Sequence, residues 1–210
     1  MKPYRDGLVV GKFAPLHVGH EALINAALAQ CETVYIISYS RPEIPGYDPD
    51  KRLHWLSARF PQCHHLVLTP EVIATHALEP LPHNDADADL HRHYVATLCE
   101  KILHCQPQAV FTAEDYGDGF AAVLSQRFGK QVTHVRLQRP KGPEAPSGTL
   151  IRSDVHRYRT MMSPEVYRSF VSRICLLGGE STGKSTLSRA LATTLNAPFV
   201  AEFGREYWEE

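Results

Sequence analysis

The sequence has no uninterrupted apolar run long enough to cross a bilayer, and its amino terminus, MKPYRDGLVV, lacks the continuous apolar segment of a secretory signal. The expectation is a soluble, cytoplasmic chain without a membrane partner. It has almost no net charge, formally −1. There is thus no general basic field for nucleic acid or an anionic surface, and small anionic ligands need local sites. CxxC pairs are missing, and the five cysteines are an odd number, which reads as reduced, mostly buried thiols rather than a disulfide framework. The twelve histidines include a group with cysteines, His91, His93, Cys99, His104 and Cys105, inside one expected helix. Their spacings do not repeat a zinc-ligand pattern, so no structural metal is expected.

What the sequence does have is length and alternation. At 210 residues and 43% apolar content, it can build a full domain and part of a second. Short β-rich runs alternate with longer helical stretches: Leu8-Val9-Val10, a helix over 19–30, TVYIISYS, the helix DKRLHWLSARF capped by Asp48 or Asp50 with Leu53 and Leu56 on one face, and HHLVLTP. A polar, proline-interrupted loop at 75–89 leads to the helix LHRHYVATLCEKILH, the strand AVFTAE, the helix GFAAVLSQRFG and the strand QVTHVRL. This pattern predicts an α/β fold with a Rossmann-like parallel sheet and helices on both faces, whose ligands sit at the carboxyl ends of the strands. QRPKGPEAPSG reads as a loop, and helical patterning resumes at about 149–160 and 164–170. From SRICLLGGESTGKST onward the alternation restarts as strand, glycine loop, helix and strand, so a boundary is expected near 170–172.

Three motifs carry chemistry. In GKFAPLHVGH, residues 11–20, Gly11 permits a sharp turn and close backbone approach, and Pro15 stiffens the loop that holds Phe13. A helix beginning near Val18 sets His17 and His20 three apart on its first turn, where backbone N–H groups and the helix dipole favour polyphosphate. Ser147-Gly148-Thr149-Leu150-Ile151-Arg152 is a second loop-to-helix junction. There Ser147 or Thr149 can cap, and Arg152 offers a planar fork to phosphate oxygens. Gly178-Gly179-Glu180-Ser181-Thr182-Gly183-Lys184-Ser185, followed by Thr186, fits the G-x-x-x-x-G-K-[ST] phosphate loop. Its Lys184 is placed to neutralise phosphate and its Ser185 to reach Mg²⁺. Lys12 reads equally as a phosphate contact and as an exposed loop lysine.

The first motif resembles the GxFxPxHxGH signature of the nucleotidylyltransferase superfamily, and SGTLIR resembles that superfamily's second phosphate element. With the phosphate loop downstream, and with RPEIPGYDPDKRLHWL, VFTAEDYG and SPEVYRSFVSRICLLGGESTGKST, the whole chain resembles the bifunctional nicotinamide mononucleotide adenylyltransferase/ribosylnicotinamide kinase family. The resemblance implies an adenylyltransferase domain over 1–170 and a kinase-like fragment over 171–210. The implied reaction takes ATP, carrying Mg²⁺, and nicotinamide mononucleotide to NAD and pyrophosphate. His17, His20 and Arg152 would be catalytic, with ATP held by Gly11, Lys12, Phe13, Gly19, Ser147, Thr149 and Arg152. The acceptor would lie against Phe13 and Ala14, and the fragment's phosphate loop would use Gly178, Gly183, Lys184, Ser185 and Thr186.

Two departures qualify the expectation. The chain ends at AEFGREYWEE, so a competent kinase is not expected; it begins only a few residues before its first expected strand, so the helix-turn-helix domain that many relatives carry upstream is not expected either, nor DNA binding. In place of a Trp-containing PNGW-like segment stands LPHNDADADL, which leaves Tyr47, Trp55 and Tyr116 as aromatic candidates to stack the nicotinamide, although Trp55 on an amphipathic helix also reads as core. Alternatives are transfer to another phosphate ester, such as pantetheine phosphate or a flavin mononucleotide, or a non-catalytic NAD- or ATP-sensing module. Partners are small nucleotides, and a homo-oligomer is left open.

Overall fold

The computed structural model describes residues 2–114, 116–138, 142 and 145–201. The chain divides into two compact units, Met1–Phe170 and Val171–Glu210. The first is built on five parallel strands: β1 (Tyr4–Gly11), β2 (Cys31–Ser38), β3 (His64–Val67), β4 (Ala109–Thr112) and β5 (Thr133–Arg136). Their order is β3-β2-β1-β4-β5, so the chain builds outward from β1 on one side, then crosses to the other. The point of reversal lies between the carboxyl ends of β1 and β4, where open parallel sheets leave a crevice.

Strand side chains alternate between faces, and the two cores follow from that alternation. Val9, Val34, Ile36, Ala109 and Phe111 meet α1 (Val18–Gln30) and α2 (Pro49–Arg59) on one face. Leu8, Ile37, Leu66 and Val110 meet α4 (Ala88–Lys101) and α5 (Gly117–Phe128) on the other. Each fully buried aliphatic side chain contributes about 1.5–3 kcal/mol. A short α3 (Pro70–Thr75), capped by Thr69, precedes the polar loop, and Gly129 closes α5 in the left-handed conformation. Cys31, Cys63, Cys99 and Cys105 are buried free thiols, and Cys175 is exposed. Burial pushes the Cys31 and Cys63 thiols up to about 11. Among the described residues no helix is long and apolar enough to cross a membrane.

Local expectations are in part met and in part corrected. Asp48 is the cap of α2, its carboxylate accepting from Lys51 N at 3.0 Å. The buried stripe of that helix is Arg52, Trp55 and Leu56, while Leu53 is exposed. The helix expected over 149–160 stops early: α6 is Gly148–Ser153, followed by a 3-10 turn at Arg159–Met161. Asp154 breaks it, since its carboxylate accepts from Arg157 N at 2.9 Å, a local bond that competes with helical continuation. α7 (Pro164–Tyr167) and a 3-10 turn (Arg168–Phe170) complete the unit. Of the expected 138–148 loop, residues 139–141 and 143–144 lie outside the described residues.

In the second unit, α8 (Lys184–Thr194) follows the glycine loop. The strand expected at Ile174–Leu177 does not form, and Ile174 and Leu177 are exposed. A strand needs a neighbour to satisfy its backbone groups, and among the described residues of this unit there is none. The strand expected at PFVAEF is likewise absent over 198–201; residues 202–210, with the rest of AEFGREYWEE, lie outside the described residues.

Candidate active site

The loop from Gly11 to His17 leaves β1 at the reversal point of the sheet. Its tight backbone falls on Phe13, at φ 47°, rather than on Gly11. The missing side chain of Gly11 has another use: a Cβ there would meet the Phe13 ring at 3.1 Å. Phe13 is buried and its ring stands edge-on to His20, with centroids 4.9 Å apart. The Phe13 side chain therefore packs against the His20 ring and is itself buried.

His17 is the N-cap of α1, with Nδ1 accepting from Gly19 N at 3.1 Å. A nitrogen that accepts makes Nε2 the donor of the neutral ring. The His17 and His20 rings stack at 3.8 Å, so the three-residue spacing does bring both imidazoles to one place at the helix amino end. The first turn of α1 is tethered by Glu21, which accepts from Arg59 Nε and Nη2 at 3.2 Å each.

Arg152 reaches back across the chain. Its Nη1 donates to Ala14 O at 2.5 Å and its Nη2 to Thr149 Oγ1 at 3.1 Å. Ser147 caps α6, accepting from Leu150 N at 3.1 Å. The two motifs thus form one cluster at the carboxyl end of β1: His17, His20, Ala14, Thr149 and Arg152. Lys12 is exposed, while its carbonyl accepts from Ser38 Oγ at 3.2 Å and Arg52 Nη1 at 3.4 Å.

The aromatic candidates separate. Trp55 is fully buried, donates from Nε1 to Ser169 Oγ at 2.8 Å and packs against Tyr47 and Phe170. It is a core residue and presents no face to a ligand, because the buried stripe of α2 turns it onto the sheet. Tyr47 is nearly buried; burial raises its phenol, and the Arg152 cation opposes that rise. Tyr116 is 47% exposed at the start of α5, beyond the carboxyl end of β4.

Sequence reasoning missed Arg52. Its guanidinium is wholly buried, donating to Ser38 Oγ at 3.2 Å and to Glu43 Oε1 at 2.7 Å. Burial pulls its ionisation downward, and the adjacent Glu43 carboxylate opposes this. The available signal was its i, i+3, i+4 spacing with Trp55 and Leu56, which places all three on one helical face.

In the second unit, Gly183 caps α8 at φ 82°, with Ser185 and Thr186 in the first turn. Lys184 Nζ donates to Gly179 O at 2.5 Å, and Thr182 Oγ1 donates to the same carbonyl at 2.9 Å. Gly178 precedes them, exposed.

Residues 173–210 match the AAA domain family. The chain is 30% identical, over 96% of its length, to the "Trifunctional NAD biosynthesis/regulator protein NadR" of Escherichia coli, and 32% identical over 96% to the protein of that name from Salmonella typhimurium. In each case it covers 49% of the relative. Among solved structures, a NadR protein in complex with NR superposes with a TM-score of 0.65 at 26% identity, covering 99% of this chain and 57% of that one. A NadR protein in complex with NAD and AMP-PNP gives 0.64 at 27%, covering 99% and 59%. The chain is therefore similar to the NadR proteins over nearly its whole length, while it spans about half the length of the curated relatives it matches.

Proposed function

We propose that the first unit transfers the adenylyl group of ATP to nicotinamide mononucleotide, giving NAD and pyrophosphate. The observation that carries this reading is the bond from Arg152 to Ala14 O, which joins two phosphate-binding motifs 138 residues apart beside the stacked His17 and His20. The names of the relatives point to NAD biosynthesis, and one of the solved relatives holds NAD and AMP-PNP.

In the reaction an oxygen of the acceptor's phosphate forms a bond to the α-phosphorus, and the bond from that phosphorus to the α,β-bridging oxygen breaks. The attacking oxygen is already anionic, so no general base is needed. Catalysis then rests on in-line positioning and on neutralising charge as it grows on the leaving pyrophosphate. His17 Nε2, His20 and the Arg152 fork are the groups for that second task, aided by the amino end of α1. Mg²⁺ enters as part of the triphosphate substrate and supplies further charge neutralisation there. The glycine loop of the second unit, with Gly178, Gly183, Lys184, Ser185 and Thr186, is proposed to hold phosphate of a nucleotide.

The test is pyrophosphate release by the chain with ATP, Mg²⁺ and a panel of acceptors. Turnover with nicotinamide mononucleotide, abolished in His20→Ala, is expected. Turnover only with another phosphate ester would reassign the acceptor, and NAD binding without any turnover would overturn the enzyme reading in favour of a sensor.

A further inference from the structure

A second polar cluster stands at the neighbouring strand end. The register pairs Val9 with Phe111, so Thr112, the last residue of β4, lies level with the end of β1, one strand spacing away, about 4.8 Å. Thr112 is 4% exposed, and its hydroxyl donates to Glu114 O at 2.9 Å. His134 Nε2, from β5, lies 2.8 Å from the same hydroxyl oxygen. The other ring nitrogen, Nδ1, lies 2.8 Å from Asp118 Oδ1 in the first turn of α5. The His134 side chain is almost fully buried, whereas Asp118 is open to solvent.

The ring fits there only because residue 117 is glycine. A Cβ on Gly117 would stand 2.0 Å from His134 Nε2, a contact no relaxation of a flexible tip can relieve, since the imidazole is pinned at both ends. His134 therefore ties the end of β4 to the start of α5, whose N-cap is Tyr116. The Tyr116 backbone is held from a third side, where Arg92 Nη2 donates to Tyr116 O at 3.3 Å. Nothing in the adenylyl-transfer chemistry above uses His134, Asp118 or Gly117.

We infer that His134 is a positioning residue: by bridging Thr112 and Asp118 across Gly117 it holds the start of α5 against the end of β4, fixes the stance of Tyr116 on the β4 side of the crevice, and so determines how well the acceptor nucleotide binds. This rests on the proposed function for the identity of the acceptor, though the order of Tyr116 and Gly117 does not. The triphosphate elements belong to β1, α1 and α6, so the inference separates the two substrates.

The experiment measures steady-state kinetics of the parent chain and of His134→Ala, Asp118→Asn, Gly117→Ala and the Gly117→Ala/His134→Ala double variant, together with hydrogen exchange of each without ligand. Loss of the bridge is expected to raise KM for nicotinamide mononucleotide roughly five- to twentyfold, with kcat and KM for ATP within about twofold of the parent. Asp118→Asn, which removes only an exposed carboxylate charge, should shift KM the same way by less and keeps the test available if His134→Ala misfolds. Gly117→Ala should match His134→Ala and add nothing to it in the double variant, because the new methyl group then occupies the space the ring has left. Unchanged acceptor KM in folded His134→Ala and Asp118→Asn, or equal losses in kcat and in KM for both substrates, overturns the inference. If the parent turns over no acceptor, the proposed function fails and exchange decides: faster exchange at Tyr116 and Gly117, with 11–17 unchanged, upholds the positioning role, and unchanged exchange overturns it.

Discussion

Arg152 Nη1 and Ala14 O, 138 residues apart in sequence, meet at 2.5 Å. One side chain of α6 thereby fixes the loop between β1 and α1, and that loop's path sets where His17 and His20 stand. The guanidinium has two tasks, since its second nitrogen holds Thr149 Oγ1, and only a planar fork can serve both.

Arg152→Lys therefore separates charge from geometry. The ammonium keeps the charge but cannot bridge Ala14 O and Thr149. Its kcat/KM for adenylyl transfer should fall by roughly 10²-fold, and that of Arg152→Ala by roughly 10³-fold, as for other lost transition-state donors. Pyrophosphate release is the measurement, and activity near the parent level in the lysine variant would show that the fork is dispensable.

His17 combines a cap with a proposed catalytic role, and the two can be parted. His17→Ala loses the bond from Gly19 N and should cost about 1 kcal/mol of stability. His17→Asn supplies a new capping oxygen and should recover most of that loss in a denaturant titration, yet remain as inactive as His17→Ala. Recovered activity in the asparagine variant would assign His17 to capping alone.

The buried Arg52 depends on Glu43 for compensation. Glu43→Ala leaves the cation unpaired under the Lys12 carbonyl and should destabilise by about 2 kcal/mol, less than for a fully buried pair because the Glu43 side chain is partly exposed. Arg52→Met with Glu43→Gln should be less destabilising than Glu43→Ala alone, since it removes the charge together with its partner. Urea unfolding of the three variants checks the order.

His65, on β3, has its ionisation pulled below the ordinary 6.5, chiefly by burial, with a hydrogen bond donated by the ring to the Phe60 backbone opposing. Above 6.5 both folded and unfolded chains hold it neutral and it contributes nothing. As pH falls through 6.5 the unfolded chain takes up the proton first, so stability declines on acidification. His65→Gln should flatten the stability curve between pH 7 and 5.5, measured by thermal unfolding, while a slope equal to the parent's would place the acid sensitivity elsewhere.

The sequence by itself determined the α/β class, because the alternation of apolar strands with amphipathic helices is a local pattern that only a parallel sheet covered on both faces can bury. It also located the GKFAPLHVGH and SGTLIR loops at strand-to-helix and loop-to-helix junctions, since glycine, proline and capping serine act over a few residues. Asp154 shows the limit of periodicity: the apolar spacing ran on through 155 and 158, but one carboxylate bond to Arg157 N ended the helix.

What tertiary structure decided concerns pairs far apart in the chain. Trp55 is a candidate stacking platform by sequence, although a Trp on an amphipathic helix is more often core, and its burial with the bond to Ser169 places it in the core. Arg52 is buried because α2 lies on the sheet, where Ser38 and Glu43 meet its guanidinium. Thr112 and Gly117 stand within VFTAEDYG, but nothing in that segment pairs them with His134 or Asp118. Their roles come from strand order, which sets β4 between β1 and β5, and strand order depends on which apolar faces pack together, a property of the whole folded chain rather than of any window within it.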